Sequence, residues 1–235
     1  MPTTLIIGGS SGIGLATAVR LASTGDTVHI AGRGTDRLAA AAREHPALVP
    51  HTLDANDAAA VEALLSELRS IDRLIVTVSG NLGAGSLADL DLTDLRQAFE
   101  EKFWPTLTAV KIAAPHLAEG GSITLVGAIT ARAGMPGTAG IAALNAAVEG
   151  LVQPLAAELA PLRVNAVSPG YVDTPWWSAV PASDRQAFFA QVADGLPTRR
   201  IATADDLAQT VVLLATNPNL TGTVIECDGG AHLAA

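Results

Sequence analysis

Seven residues after the first apolar run, Gly8-Gly9-Ser10-Ser11-Gly12-Ile13-Gly14, carry the strongest chemical signal in the chain. Glycines at this spacing let the backbone turn tightly and approach a pyrophosphate, which rests on the N–H groups of the helix that follows. Beyond the next apolar run stands Ala31-Gly32-Arg33, where a site for an NAD ribose diol would place an acid. A small residue followed by a guanidinium suits a ribose 2′-phosphate instead, so NADP(H) is expected in preference to NAD(H). Other chemistries find little support. The His residues at 29, 45, 51, 116 and 232 show no ligand spacing, so no metal site is expected. His116 reads as a helix-end residue, and Cys227, in the last apolar run, as a buried inert thiol. Ser10 and Ser11 lack a nucleophile elbow, while Asp89, Asp91 and Asp94 gather where a helix starts, as caps and dipole partners.

Short Val/Ile/Leu-rich runs alternate with longer helical patterns. Seven strands are expected at Thr4–Ile7, Thr27–Ala31, 47–52, Leu74–Val78, Ile123–Val126, Arg163–Val167 and Thr223–Cys227. They are continuously apolar, as in a parallel sheet covered by helices on both faces. Helices are expected at Ile13–Ser23, Arg37–Glu44, Asp57–Leu68, Thr93–Leu117, Ala139–Leu159 and Ala204–Ala215, with caps at Thr35 or Asp36, Asn56, Thr93 and Thr203. Pro154 should kink or break the fifth of these. The result is a doubly wound α/β sheet of the Rossmann kind, one domain over residues 1–235. The proline-bearing stretch 170–182 is irregular, and residues from about 170 to 200 read as a lid.

Composition narrows the function classes. Of 235 residues, 49% are hydrophobic, 3% aromatic and 16% charged, and the formal net charge is −9. That balance is opposite to a disordered tail, and the acidic surface argues against nucleic acid. A single cysteine, no basic leader and no run of about 20 apolar residues point to a cytoplasmic protein without a membrane span.

With these motifs in place, the chain resembles the short-chain dehydrogenase/reductases nearly end to end. The cofactor turn from Ile7 to Gly14 matches, with Ile7 where Thr is usual. Asp54-Ala55 matches the acid after the third strand that meets the adenine. Ser168-Pro169-Gly170-Tyr171-Val172-Asp173-Thr174-Pro175 matches the segment whose backbone at Val172 and hydroxyl at Thr174 hold the carboxamide. Thr221-Gly222 through Asp228-Gly229-Gly230 matches the closing strand and turn. Gly80, in Thr77-Val78-Ser79-Gly80, stands where the family carries Asn-Asn-Ala-Gly.

The resemblance also implies a Ser-Tyr-Lys set helped by an Asn, and here the match fails. The Ser position falls at Ala128, the Tyr position at Ile141, the Lys position at Asn145 and the Asn position at Lys102. The single tyrosine, Tyr171, has Pro175 four residues on, so no Tyr-Lys pair exists in any register. Two functions are then implied. One is an NADP(H)-dependent oxidoreductase with a non-standard site, acting on a small apolar carbonyl, alcohol, enone or imine. In it Lys102 would place an ammonium near the substrate oxygen, Asn145 would bond the ribose and Tyr171 would serve as an acid. The other is a non-catalytic NADP(H)-binding protein, a sensor or the silent subunit of an oligomer. Trp176, Trp177, Phe188 and Phe189 suggest an apolar lid. The two central helices suggest a homodimer or homotetramer, or a hetero-oligomer with an active relative.

Overall fold

The computed structural model describes residues 1–233. The chain begins β1 (Thr3–Ile7), α1 (Gly12–Ser23), β2 (Thr27–Gly32), α2 (Thr35–Glu44), β3 (Leu48–Thr52), α3 (Ala58–Leu68) and β4 (Ile71–Val76). It continues with α4 (Leu92–Ala113), β5 (Leu117–Val126), α5 (Ala139–Gly150), α6 (Val152–Glu158), β6 (Arg163–Pro169) and β7 (Val172–Asp173). Then come α7 (Ala182–Gly195), β8 (Ala202–Thr203), α8 (Ala204–Thr216) and β9 (Val224–Cys227). Seven strands pair in parallel in the order β3-β2-β1-β4-β5-β6-β9, and β7 and β8 form a separate two-residue ladder. The order reverses between β1 and β4, which opens a crevice at the strands' carboxyl ends.

Both faces of the sheet's central strands are buried. Leu5, Ile7, Leu74, Val76, Ile123 and Leu125 face α3, α4, α5 and α6, while Ile6, Ile30, Ile75 and Val167 face α1, α2 and α8. Adjacent residues of one strand thus enter opposite cores, which is why the strands read as unbroken apolar runs. Each such side chain contributes roughly 1.5–3 kcal/mol by leaving water.

Several expectations need correction. The N-cap positions of α2, α3 and α4 are Gly34, Asp57 and Asp91: Gly34 offers no side-chain acceptor, while Asp57, one residue after the expected cap, and Asp91, two before it, accept from first-turn N–H groups. Thr203 does cap α8, in a reciprocal box with Asp206. The fourth helix stops at Ala113, since Pro115 opens a 3-10 turn. His116 closes that turn, 3.0 Å from Glu62. The fifth helix breaks at Leu151: Pro154 has no N–H for the carbonyl of Gly150, where α5 ends. The stretch Ala139–Glu158 is long and apolar enough on average to cross a membrane by length and composition alone, though Asn145, Glu149 and Gln153 interrupt it as an apolar run; its two helices lie on the sheet. Residues 182–195, within the expected lid, form α7. Cys227 is half-buried, beside the Thr210 hydroxyl.

Candidate active site

The cofactor half of the crevice is built from backbone. Gly8 has φ +93°, and a Cβ there would stand 2.5 Å from Thr77 Oγ1. One at Gly14 would meet the Gly8 carbonyl at 2.3 Å, so the turn closes only with glycine at both places. Ser11, at the N-cap of α1, makes no side-chain hydrogen bond to the first turn. The N–H groups there remain free to receive an anion, on a terminus whose dipole favours one. Arg33 follows β2, and Arg37, in the first turn of α2, lines the same cavity; sequence reasoning missed it. A second guanidinium four residues after the first was the available signal.

The cavity, about 730 Å³, runs from these arginines past Asp54 and Ala55 to Gly80, Lys102, Asn145 and the Pro169–Thr174 segment. Gly8, Ser10, Ser11, Gly12, Ile13, Gly14, Pro169, Gly170, Val172 and Thr174 all line it. An uncapped helix start, two guanidiniums and a long cleft fit a phosphorylated dinucleotide. Gly80 is tight because Glu101 packs on it: a Cβ there would lie 2.2 Å from Glu101 Oε2. Among the described residues, no group of three or more His, Cys, Asp and Glu is placed to hold a metal ion.

The opposite end joins two residues 43 positions apart. Lys102 Nζ donates to Asn145 Oδ1 at 2.6 Å and to the Gly127 carbonyl at 3.1 Å. Asn145 Nδ2 donates to Thr130 Oγ1 at 3.0 Å and to the Ile141 carbonyl at 2.9 Å. Thr130 is a further residue that sequence reasoning missed. Its hydroxyl, two residues past Ala128, was the visible sign. Ala128 and Ile141 line the same wall with hydrocarbon only. Lys102 is 6% exposed, and burial pushes its amine down to about 8, against the pull of Glu149. Glu101 is not its partner, since that carboxylate accepts from Gln97 at 3.2 Å.

Tyr171 lines the cavity but stays outside the Lys102–Asn145 network. Its hydroxyl lies 3.7 Å from Met135 Sδ, and its ring meets Phe188 edge-on. Trp177 packs against Phe188 and Phe189, which fastens α7 to the turn Pro175–Ala179. Trp176 Nε1 donates to the Gly80 carbonyl at 2.9 Å and ties that turn to the loop after β4.

A doubly wound sheet with a glycine-turn phosphate cradle at its switch point defines a dinucleotide-binding oxidoreductase fold. A family model described as Enoyl-(Acyl carrier protein) reductase matches residues 8–232. The chain is 32% identical over 240 residues to the cis-4-hydroxycyclohexanecarboxylate dehydrogenase of Sinomonas cyclohexanicum, covering 96% of this chain and 94% of that one. A solved small-chain dehydrogenase in complex with NADPH is 34% identical with TM-score 0.87, over 99% of each chain. The MalC Reductase/Diels-Alderase from Malbranchea aurantiaca is 28% identical with TM-score 0.90, over 99% of this chain and 96% of that one. The chain belongs to the short-chain dehydrogenase/reductase family.

Proposed function

We propose that this protein is an NADP(H)-dependent oxidoreductase in which Lys102 supplies the proton that a tyrosine supplies elsewhere in the family. The observation that carries this reading is the Lys102 ammonium at the reactive end of the cavity, held by Asn145 Oδ1 and Gly127 O. Two of its three N–H bonds are engaged by protein acceptors, and the third is available to a substrate oxygen. Arg33 and Arg37 would hold the 2′-phosphate, with the first turn of α1 on the pyrophosphate and Val172 and Thr174 at the carboxamide. A reduced nicotinamide bound there supplies a hydride to the electrophilic carbon.

As the substrate's C=O, C=C or C=N π bond breaks, Lys102 Nζ gives up one proton to the oxygen or nitrogen that takes the electron pair. The amine would regain a proton once product leaves and water re-enters the cavity that Lys102 lines. An amine with a pKa near 8 suits this exchange, being mostly charged at neutral pH yet able to release its proton. Asn145 acts through Lys102, because both hydrogens of its amide are engaged by Thr130 and Ile141. Trp176 and Ile141 make the substrate end apolar, which favours a small apolar carbonyl or alcohol, enone or imine. Tyr171 is a wall of the cavity in this reading. The chain would work as a homodimer or homotetramer through α4 and α5, where Trp104 is 46% exposed.

The test is turnover of reduced nicotinamide across ketones, enones and imines, with NADPH and NADH compared. The hydrocarbon side chains of Ala128 and Ile141 favour the second reading, a non-catalytic NADP(H)-binding sensor or subunit. Tight NADPH binding with a blank panel would establish it over the first.

A further inference from the structure

Glu149 stands one helical turn beyond Asn145 on α5, is 7% exposed, and has no part in the chemistry above. Its Oε2 meets Arg132 Nη2 at 3.2 Å. Its Oε1 is buried and, among the described residues, has no hydrogen-bond partner. Leaving a carboxylate oxygen in that condition is costly unless a positive charge lies close. The carboxylate rests on Gly127, where a Cβ would stand 2.4 Å from Oε1. Gly127 is also the residue whose carbonyl accepts from Lys102 Nζ. One residue without a side chain is therefore in contact with both the carboxylate and the ammonium.

We infer that Glu149 is a positioning residue for Lys102: held by Arg132 against Gly127, it supplies the counter-charge that keeps the buried amine an ammonium. The inference rests on the reading of Lys102 as proton donor for its functional meaning. The other charges around the pair are accounted for. On α4, Glu101 accepts from Gln97 and packs on Gly80. Arg132, after β5, also bonds Glu226 of β9 at 2.7 Å. Beyond it His232 lies 3.4 Å from Glu226 and 2.8 Å from Asp228. Glu149 is the acid that opposes the effect of burial on Lys102.

The chain has two lysines, 102 and 111, which makes a direct titration simple. The full-length protein is labelled with carbon-13 at lysine Cε, and Lys111→Arg assigns the two resonances. Without cofactor or substrate, Glu149→Gln should lower the Lys102 midpoint by about one pH unit, a tenfold loss of ammonium at a given alkaline pH. An unchanged midpoint overturns the inference. A second measurement needs no variant fold: the Glu149 Cδ resonance of the unmodified protein should inflect at the Lys102 midpoint. A flat Glu149 resonance across that pH overturns it too. No turnover enters either experiment. Full activity in Lys102→Met would remove the proton-donor role and leave the midpoint shift standing.

Discussion

Replacing Lys102 by Met keeps most of the side-chain volume and removes the charge and all three donors. The position is 6% exposed, so no bulk water stands ready to take over. One well-placed donor lost from a water-excluded site costs about 3 kcal/mol of transition-state stabilisation, or roughly 10²-fold in kcat. The assay is the rate of NADPH oxidation with the best substrate of the ketone, enone and imine panel, with NADPH affinity measured alongside as a fold control. In the wild type, kcat/KM for reduction should fall as pH rises through about 8, because the charged amine is the donor. That limb should vanish in Lys102→Met. Stability supplies an independent check on the same amine. Folding lowers its pKa from 10.5 to about 8, so between those values the unfolded chain holds more protons and folded stability rises with pH. Relative to Lys102→Met, the wild type should gain about 3 kcal/mol across that window, read from denaturant melts. Retention of both kcat and the alkaline limb in Lys102→Met would refute the reasoning.

Arg33→Ala and Arg37→Ala should each weaken NADPH binding about tenfold and leave NADH nearly unchanged, in a fluorescence titration. Trp176→Phe deletes the bond to the Gly80 carbonyl and should speed cofactor release about fivefold, measured by stopped flow, for a loss of about 1 kcal/mol. His29 Nδ1 and His51 Nε2 lie 2.9 Å apart, and burial lowers both pKa values, with mutual repulsion also lowering His29. The unfolded chain then binds more protons as pH falls below about 6.5, so stability should drop there, and His51→Gln should reduce that drop in thermal melts. Trp104→Asp should shift a dimer or tetramer toward monomer in sedimentation, through the exposed face of α4.

The strands and the phosphate turn were legible because each rests on a local rule. Unbroken apolar runs such as Leu5-Ile6-Ile7 have to be covered on both faces, and Gly8 and Gly14 stand where no Cβ fits. Helix α7 was not legible. Among the described residues none of its side chains is buried, and its aromatic contacts run from Phe188 and Phe189 to Tyr171 and Trp177, not to the sheet. Pro181 before it and Gly195 at its end were punctuation without a pattern between them. Arg37 was overlooked because Arg33 alone satisfied the phosphate argument. It is the fold that brings both guanidiniums to one cavity.

The exchange at the reactive end marks where reading along the chain stops. By the resemblance, lysine stands at position 102 where asparagine is expected, and asparagine at position 145 where lysine is expected; read singly, these are two losses. The fold brings Lys102 Nζ to 2.6 Å from Asn145 Oδ1, so under that assignment the two functional groups meet with their helices traded. An amine reaching from α4 instead of α5 enters past Gly127 and comes under the influence of Glu149, which a lysine at 145 would share a helix face with. Ile141, one turn before Asn145, leaves no phenol for that amine to activate. In the proposed reaction the proton therefore leaves from nitrogen itself, and the substrates that would suit such a site are those whose developing negative charge an ammonium can meet directly.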